Sequence, residues 1–403
     1  MAASQAAPTP CNTPINPSKP PLPIRPPIDP TLEHIVSAFP IPDDLHLDLM
    51  RGMNLVPEGE PNPFAYSAAT VLAAHPNYTH KDYTITGVDG NEIELSVFTP
   101  RVGSEPASKE EEDAKTEAGT THGEAQERDP QAKPSSLPAL YHIHGGGLVS
   151  GDRFSGVSET LSLLPPSTPT ILISIAYRLA PETRAPGGAE DCYSGLRWVF
   201  ANAGTLGVDV ERVIVYGVSG GGALAASLCL MVRDRANTQS DGATDKRVMG
   251  NSPSKDEEKV TIRIKGLLLH TPMLDDRCTS TSDTQFHTNS PWSGTSNAQA
   301  WDLALGPGVR GTSAVTPYQA PARETQYTGL PPMYVDVAEC EVFRDPAVRW
   351  ASEVWKAGGT CELHVWPGVW HIFDMMDGSD LPSVVQSSVA AKKNWLGRMV
   401  GGR

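Results

Sequence analysis

Ser219 lies in Gly217-Val218-Ser219-Gly220-Gly221, a G-x-S-x-G pentapeptide between the apolar run 213–216 and the small-residue run 223–230. A strand that turns directly into a helix exposes a serine only through a tight, strained bend, and flanking glycines leave room for the main chain that crowds it. The hydroxyl then stands at a helix N-terminus, where N–H groups and the helix dipole favour developing negative charge. That is the setting of a nucleophilic serine. The same pentapeptide also arises in ordinary glycine-rich turns, so the strand before it and the helix after it carry the reading.

A second chemical element lies upstream, where the run 139–143 ends in His144-Gly145-Gly146-Gly147. Acyl transfer passes through a tetrahedral oxyanion, and main-chain N–H donors fixed in advance stabilise it. Three glycines after a strand let the main chain approach a carbonyl oxygen closely. Taken alone they would be a flexible turn; a histidine in front and a G-x-S-x-G some 70 residues on fit an oxyanion loop better.

With these motifs the chain resembles the hormone-sensitive-lipase-like family of α/β-hydrolases over about residues 80 to 400. The likeness takes in His144 to Gly147, Tyr177-Arg178-Leu179-Ala180-Pro181-Glu182, the serine turn and Gly329-Leu330-Pro331-Pro332. It continues through Glu341-Val342-Phe343-Arg344-Asp345 and 362–368, with His371 just beyond. The order nucleophile, acid, histidine agrees with that fold. The resemblance implies Ser219 as nucleophile, His371 as general base, Glu341 as acid, and Gly146, Gly147 and Gly220 as the residues whose N–H groups form the oxyanion hole. It implies no cofactor and no metal. Three positions depart from the family pattern: Val218 where Asp is usual, Gly220 for the common Ala, and Ile372 for the Gly that commonly follows the histidine.

The other histidines read as structural. His364 sits inside the strand-like run 361–366 and His144 braces the glycine loop, whereas His371 follows Pro367-Gly368 in a loop after the last strand, where a base can reach the serine. The acid has rivals close by. Asp345, Glu339 and Asp336 lie within a few residues of Glu341, and Asp345 before Pro346 suits a helix start.

The elements that position these groups alternate. A hairpin turns at Asp89-Gly90, and the runs 171–175, 262–269 and 333–337 read as buried strands. Helical text fills 190–202, 347–357 and 383–395. Alternation of this kind predicts an α/β fold with a mostly parallel sheet covered by helices on both faces, and ligands beyond the carboxyl ends of the strands. The segment 286–318, with Trp292, Trp301 and Tyr318, is expected to contribute to the pocket wall or to the core.

The expected organisation is a disordered proline-rich tail over 1–28, an N-terminal helical cap segment over 29–80, and a catalytic domain over 81–403. Polar inserts at 102–137 and 235–258 hold too few bulky apolar residues to offset the entropy of ordering and are expected to be mobile.

Composition narrows the function classes. The 403 residues suffice for one large core, and a net charge of −15 disfavours nucleic acid and anionic membrane surfaces. The six cysteines, at 11, 192, 229, 278, 340 and 361, show no metal spacing and read as free thiols of a reducing compartment. No apolar run approaches the ~20 residues that span a bilayer, and no secretory signal pattern opens the chain, so a cytoplasmic location without membrane insertion is expected. The expected activity is hydrolysis of a small-molecule carboxylic ester through an acyl-enzyme. Two other readings stay open: a specialised hydrolase or acyltransferase for a natural-product ester, amide or lactone, and a ligand-binding receptor on the same fold.

Overall fold

In the computed structural model, residues 23–38, 44–52, 66–101, 136–240, 260–375 and 382–401 are described. Among these residues eight strands form one sheet: β1 (Tyr78–Thr86), β2 (Glu92–Pro100), β3 (Leu137–Ile143), β4 (Ile171–Ala176), β5 (Val208–Val218), β6 (Gly266–His270), β7 (Met333–Ala338) and β8 (Cys361–Trp366). Their spatial order is β1-β2-β4-β3-β5-β6-β7-β8. The hairpin β1–β2 and the β2–β4 pair are antiparallel, and every pair from β4 to β8 is parallel. The expected mostly parallel sheet is therefore present, and the hairpin turns at Asp89-Gly90 with Gly90 at φ 77°.

Strands buried on both faces explain the unbroken apolar text of the central runs. Successive side chains alternate between two cores, as strand geometry requires. Tyr141, Ile173, Val215 and Leu267 pack on the side of the helices Gly187–Ala201 and Gly220–Ser240. Leu140, Leu172, Ile214 and Leu268 pack on the other, with Val157, Leu161, Trp395 and Leu396 of the helices Val157–Leu163 and Ser383–Val400.

Three expectations need adjustment. The helix after the serine runs on to Ser240, so a mobile insert does not begin at residue 235, and 241–258 lie outside the described residues. Of the insert 102–137, residues 102–135 also lie outside, while β3 begins at Leu137. Of the tail 1–28, residues 1–22 lie outside the described residues, and 23–28 form no regular element but are tied to the body. Arg25 donates to the carbonyls of Thr288 and Asn289, and the Cys340 thiol to those of Pro26 and Pro27. Extended proline-rich chain makes no ladder of its own, which leaves its carbonyls open to outside donors.

In the segment 29–80 short helices lie at Glu33–Ala38, Leu47–Gly52 and Ala68–Ala74. Arg51 joins the second to the body, donating to the carbonyls of Val149 and Ala180 and to the carboxylate of Glu182. No described helix is long and apolar enough to cross a membrane.

Candidate active site

Ser219 follows β5 directly and precedes the helix Gly220–Ser240. Its backbone is left-handed at φ 53°, a conformation that an L-residue keeps only when its surroundings hold it. The surroundings do so: Ser219 N–H donates to the His270 carbonyl at 2.9 Å, and the Ser219 carbonyl accepts from Gly222 and Met273. The glycines allow the bend. A Cβ on Gly217 would stand 2.4 Å from the Gly221 carbonyl oxygen, and one on Gly221 would stand 2.2 Å from that of Ile143.

His371 lies five residues past the end of β8, and its Nε2 is 3.0 Å from Ser219 Oγ. Its Nδ1 is 2.5 Å from Glu341 Oε2. Glu341 sits in the turn after β7, fully buried, and its Oε1 accepts the Ala338 N–H at 2.7 Å. A carboxylate at Nδ1 holds the ring proton on that nitrogen and leaves Nε2 free to accept from the serine hydroxyl. Serine and histidine are each only 5 % exposed, so the pair lies largely out of water. Phe343 meets the His371 ring edge-on at 5.0 Å.

The rival carboxylates are committed elsewhere. Asp345 lies in the first turn of the helix Arg344–Lys356, accepts the Ser282 N–H at 2.8 Å and pairs with Arg344. Glu339 accepts the Gly368 N–H at 3.0 Å, and Asp336 lies 2.7 Å from His270.

The glycine loop lies against the serine turn. Gly146 and Gly147 have φ of 106° and 61°, and a Cβ on Gly146 would come within 2.2 Å of the Ser150 carbonyl oxygen. A Cβ on Gly220 would stand 2.7 Å from Leu148 N and 3.0 Å from Gly147 N, so these amides and the start of the helix share one small space. His144 stacks on Tyr177 at 4.2 Å, with Nδ1 at the Gly145 carbonyl. Burial pushes its pKa down to about 4, so it braces the loop as a neutral ring. His364 stacks flat on Trp366 within β8.

Of the three aromatics expected at the wall, Trp292 reaches the site. Its ring carbon lies 2.4 Å from where a Gly147 Cβ would be, and its ring is 6.4 Å from that of His371. Trp301 is fully buried in the core, and Tyr318 donates to Asp234.

Sequence reasoning did not single out a buried group beside the serine turn: His270, Asp374, Ser388 and Lys392, together with Asp336. A signal was present, since Ser388 and Lys392 fall one turn apart on the face of the helix that carries Val385, Trp395 and Leu396 inward. His270, Asp336 and Asp374 bring ligand-type atoms within 4.8 Å of one another. The Lys392 ammonium already bonds both carboxylates, and both His270 nitrogens face them, so the group is an ion-pair cluster.

Comparison with known proteins agrees with this fold. A family described as having the α/β hydrolase fold matches residues 140–375, more than half of the chain. An ethyl acetate hydrolase of Pseudomonas putida is 28 % identical over 254 residues, 62 % of this chain and 70 % of that protein. The carboxylesterase NlhH of Mycobacterium tuberculosis is 27 % identical over 245 residues, 60 % of this chain and 68 % of its own. The structure of a bacterial heroin esterase superposes with a TM-score of 0.65 at 25 % identity, covering 93 % of this chain and 98 % of that one. By its matched sequence, its sheet order and the position of its serine turn, the chain belongs to the α/β hydrolase fold family, in the hormone-sensitive-lipase-like group that its motifs resemble.

Proposed function

We propose that the protein hydrolyses carboxylic esters of small molecules, with Ser219 as nucleophile, His371 as general base and Glu341 as the acid that orients it. The observation that carries this reading is the continuous line from Glu341 through His371 to Ser219 Oγ, at 2.5 and 3.0 Å, on a serine held at left-handed φ. Ser219 Oγ attacks the acyl carbon as His371 Nε2 takes its proton, and the Glu341 carboxylate stabilises the imidazolium. The N–H groups of Gly146, Gly147 and Gly220 receive the oxyanion. His371 returns the proton to the leaving alcohol, then activates the water that releases the acid and restores Ser219.

The ethyl acetate, carboxylesterase and heroin esterase activities in the names of similar proteins support an ester as the bond cleaved. Trp292, beside Gly147 and His371, walls the space around the reacting carbon. The N-terminal helices add to the cover, since Arg51 bonds Val149 just beyond the glycine loop. Turnover of chromogenic acetate and butyrate esters by the purified chain, together with phosphonate labelling, tests the reading. Binding of such esters without turnover would make the protein a ligand binder and sink it.

A further inference from the structure

Beside the serine turn lies a buried ionic cluster that the ester chemistry does not itself use. His270, the last residue of β6, sits between two carboxylates: Nδ1 is 2.7 Å from Asp336 Oδ1 and Nε2 is 3.0 Å from Asp374 Oδ1. Lys392, on the helix Ser383–Val400, donates to Asp336 Oδ2 at 2.8 Å, to Ser388 Oγ at 2.7 Å and to Asp374 Oδ2. Ser388 Oγ donates to Asp374 as well. The side chains of all four charged members are at most 3 % exposed. A buried set of this kind is weak evidence for stability, because the cost of desolvating the charges offsets most of their attraction and packed apolar residues would serve as well. Its location is the informative property.

The members sit on the pieces that hold the site. The His270 carbonyl accepts the Ser219 N–H at 2.9 Å, and the Asp336 carbonyl accepts the Thr271 N–H at 2.8 Å. Asp374 is three residues beyond His371, in a turn whose main-chain bonds run from Phe373 N–H to Trp370 and from Met375 N–H to Ile372. That turn includes Ile372 at φ 54°, where a β-branched residue is strained, so local preference alone does not hold it.

We propose that Asp374 is a positioning residue for His371: locked by His270, Lys392 and Ser388, it pins the 371–375 turn beside the serine and thereby fixes the imidazole at Ser219 Oγ. The proposal rests on His371 being the general base. The lock works while His270 is an imidazolium. Burial opposes that charge, and Asp374 and Asp336 outweigh it against the repulsion of Lys392, which raises the pKa to about 9. The hydroxyls of Tyr216 on β5 and Tyr334 on β7 also face the carboxylates; their pKa values are raised, so they stay neutral over this range. Glu159 of the helix Val157–Leu163 acts on Tyr216. Once His270 loses its proton, Asp374 is left with Lys392 and Ser388, and the turn loosens.

The test is steady-state kinetics of Asp374→Asn and Ser388→Ala on p-nitrophenyl acetate from pH 6 to 10, with active sites counted by phosphonate titration. A displacement of the base on the ångström scale predicts a kcat per titrated site lowered by roughly 10- to 100-fold in Asp374→Asn, with KM within about threefold. The alkaline limb of kcat moves to lower pH, because His270 has lost one of the carboxylates that hold its proton. Ser388→Ala lowers kcat per titrated site by less and leaves the alkaline limb near the parent's, because Asp374 keeps its charge beside His270. A merely structural role would lower Tm while leaving kcat per titrated site and its pH profile at the parent values, and that result in the folded variants overturns the proposal. Should Asp374→Asn fail to fold, Ser388→Ala and histidine NMR of the parent enzyme decide. The His270 ring must lose its proton over the pH interval in which kcat falls, and a His270 already neutral at pH 7 overturns the proposal. A His371→Ala variant that keeps turnover would instead remove the base assignment, so the two failures are distinct.

Discussion

A methyl group on Gly220 would stand 2.7 Å from the amide nitrogen of Leu148, with Gly147 N at 3.0 Å. Alanine, the residue common at this position in the family that the motifs resemble, therefore does not fit without movement of the glycine loop. The obstacle is main chain, which yields less readily than the end of a flexible side chain. Gly220→Ala should push Gly147 and Leu148 away from the serine turn. Displacing an oxyanion donor predicts a loss of about 10- to 100-fold in kcat, and overpacking a stability loss of about 1–3 kcal/mol. Kinetics on a short ester and a urea melt check both, and a variant within twofold of the parent in kcat would show that these amides are not the oxyanion donors.

Ser219→Ala should lower kcat by roughly 10⁴- to 10⁶-fold with the fold intact. In the parent, a serine-directed phosphonate should add one adduct, found by peptide mass spectrometry on Ser219. Chelators should leave turnover unchanged. Ordinary turnover by the alanine variant would remove Ser219 from the mechanism.

The acid can be tested against its neighbour. Glu341→Gln keeps the shape but removes the charge beside His371 Nδ1 and favours the wrong tautomer, so kcat should fall by up to about 10⁴-fold. Asp345→Asn breaks the pairing with Arg344 and weakens the Ser282 contact at the helix start, a stability loss of about 1 kcal/mol with kcat within a few fold. The reverse pattern of activities would make Asp345 the acid and contradict the Glu341 to His371 distance of 2.5 Å.

The sheet was legible because its central strands are buried on both faces: runs such as Leu267-Leu268-Leu269 and Ile171-Leu172-Ile173 have no other use in a chain punctuated by glycine and proline. The serine turn was legible because its glycines are required locally by main-chain approach. The separation of Glu341 from Asp345 was not, since one helical turn of sequence distance does not say which carboxylate meets a ring 30 residues further on. The His270, Asp336, Asp374 and Lys392 cluster was hidden for the same reason. Its members come from β6, β7, a loop and the last helix, and only packing brings them together. The reach of the helix Gly220–Ser240 past residue 235 is hidden in the sequence because its last two turns are polar, and propensity sums over a polar window do not reveal that a helix is continuing from a buried start.

Stability should peak near neutral to slightly acid pH. His270 is raised from 6.5 to about 9, so its contribution is fully present below pH 6.5 and is lost as pH rises through 9. His142 and His144 have the opposite sign. Burial lowers them to about 3 and about 4 from 6.5, so the unfolded chain binds their protons first and stability falls as pH drops below 6.5. Asp336 and Asp374 are lowered from 3.8, despite burial, by Lys392 and His270; their contribution is lost only as pH falls below that value. Calorimetry from pH 4 to 9.5 should give a Tm maximum near 6.5 with a decline on both sides. A Tm still rising between pH 7 and 9 would mean that His270 is not held as an imidazolium.

Ile372 offers a test of the strain in the turn after His371. It is 39 % exposed, so most of its side chain is still covered and its removal gives up roughly 1–2 kcal/mol of burial, while it holds φ 54°, a conformation costly for a β-branched residue. Glycine adopts that φ freely; relief of about 1–2 kcal/mol of strain offsets the lost burial, and glycine's extra unfolded freedom costs roughly 0.5–1 kcal/mol more. Ile372→Gly should therefore cost no more than about 1 kcal/mol, or about 2 degrees in Tm, with kcat within threefold. If Tm instead falls by several degrees, the strain at the turn is less than its dihedral implies. A large fall in kcat at unchanged Tm would show that the stiffness of Ile372, together with the Asp374 lock, holds His371 at the serine.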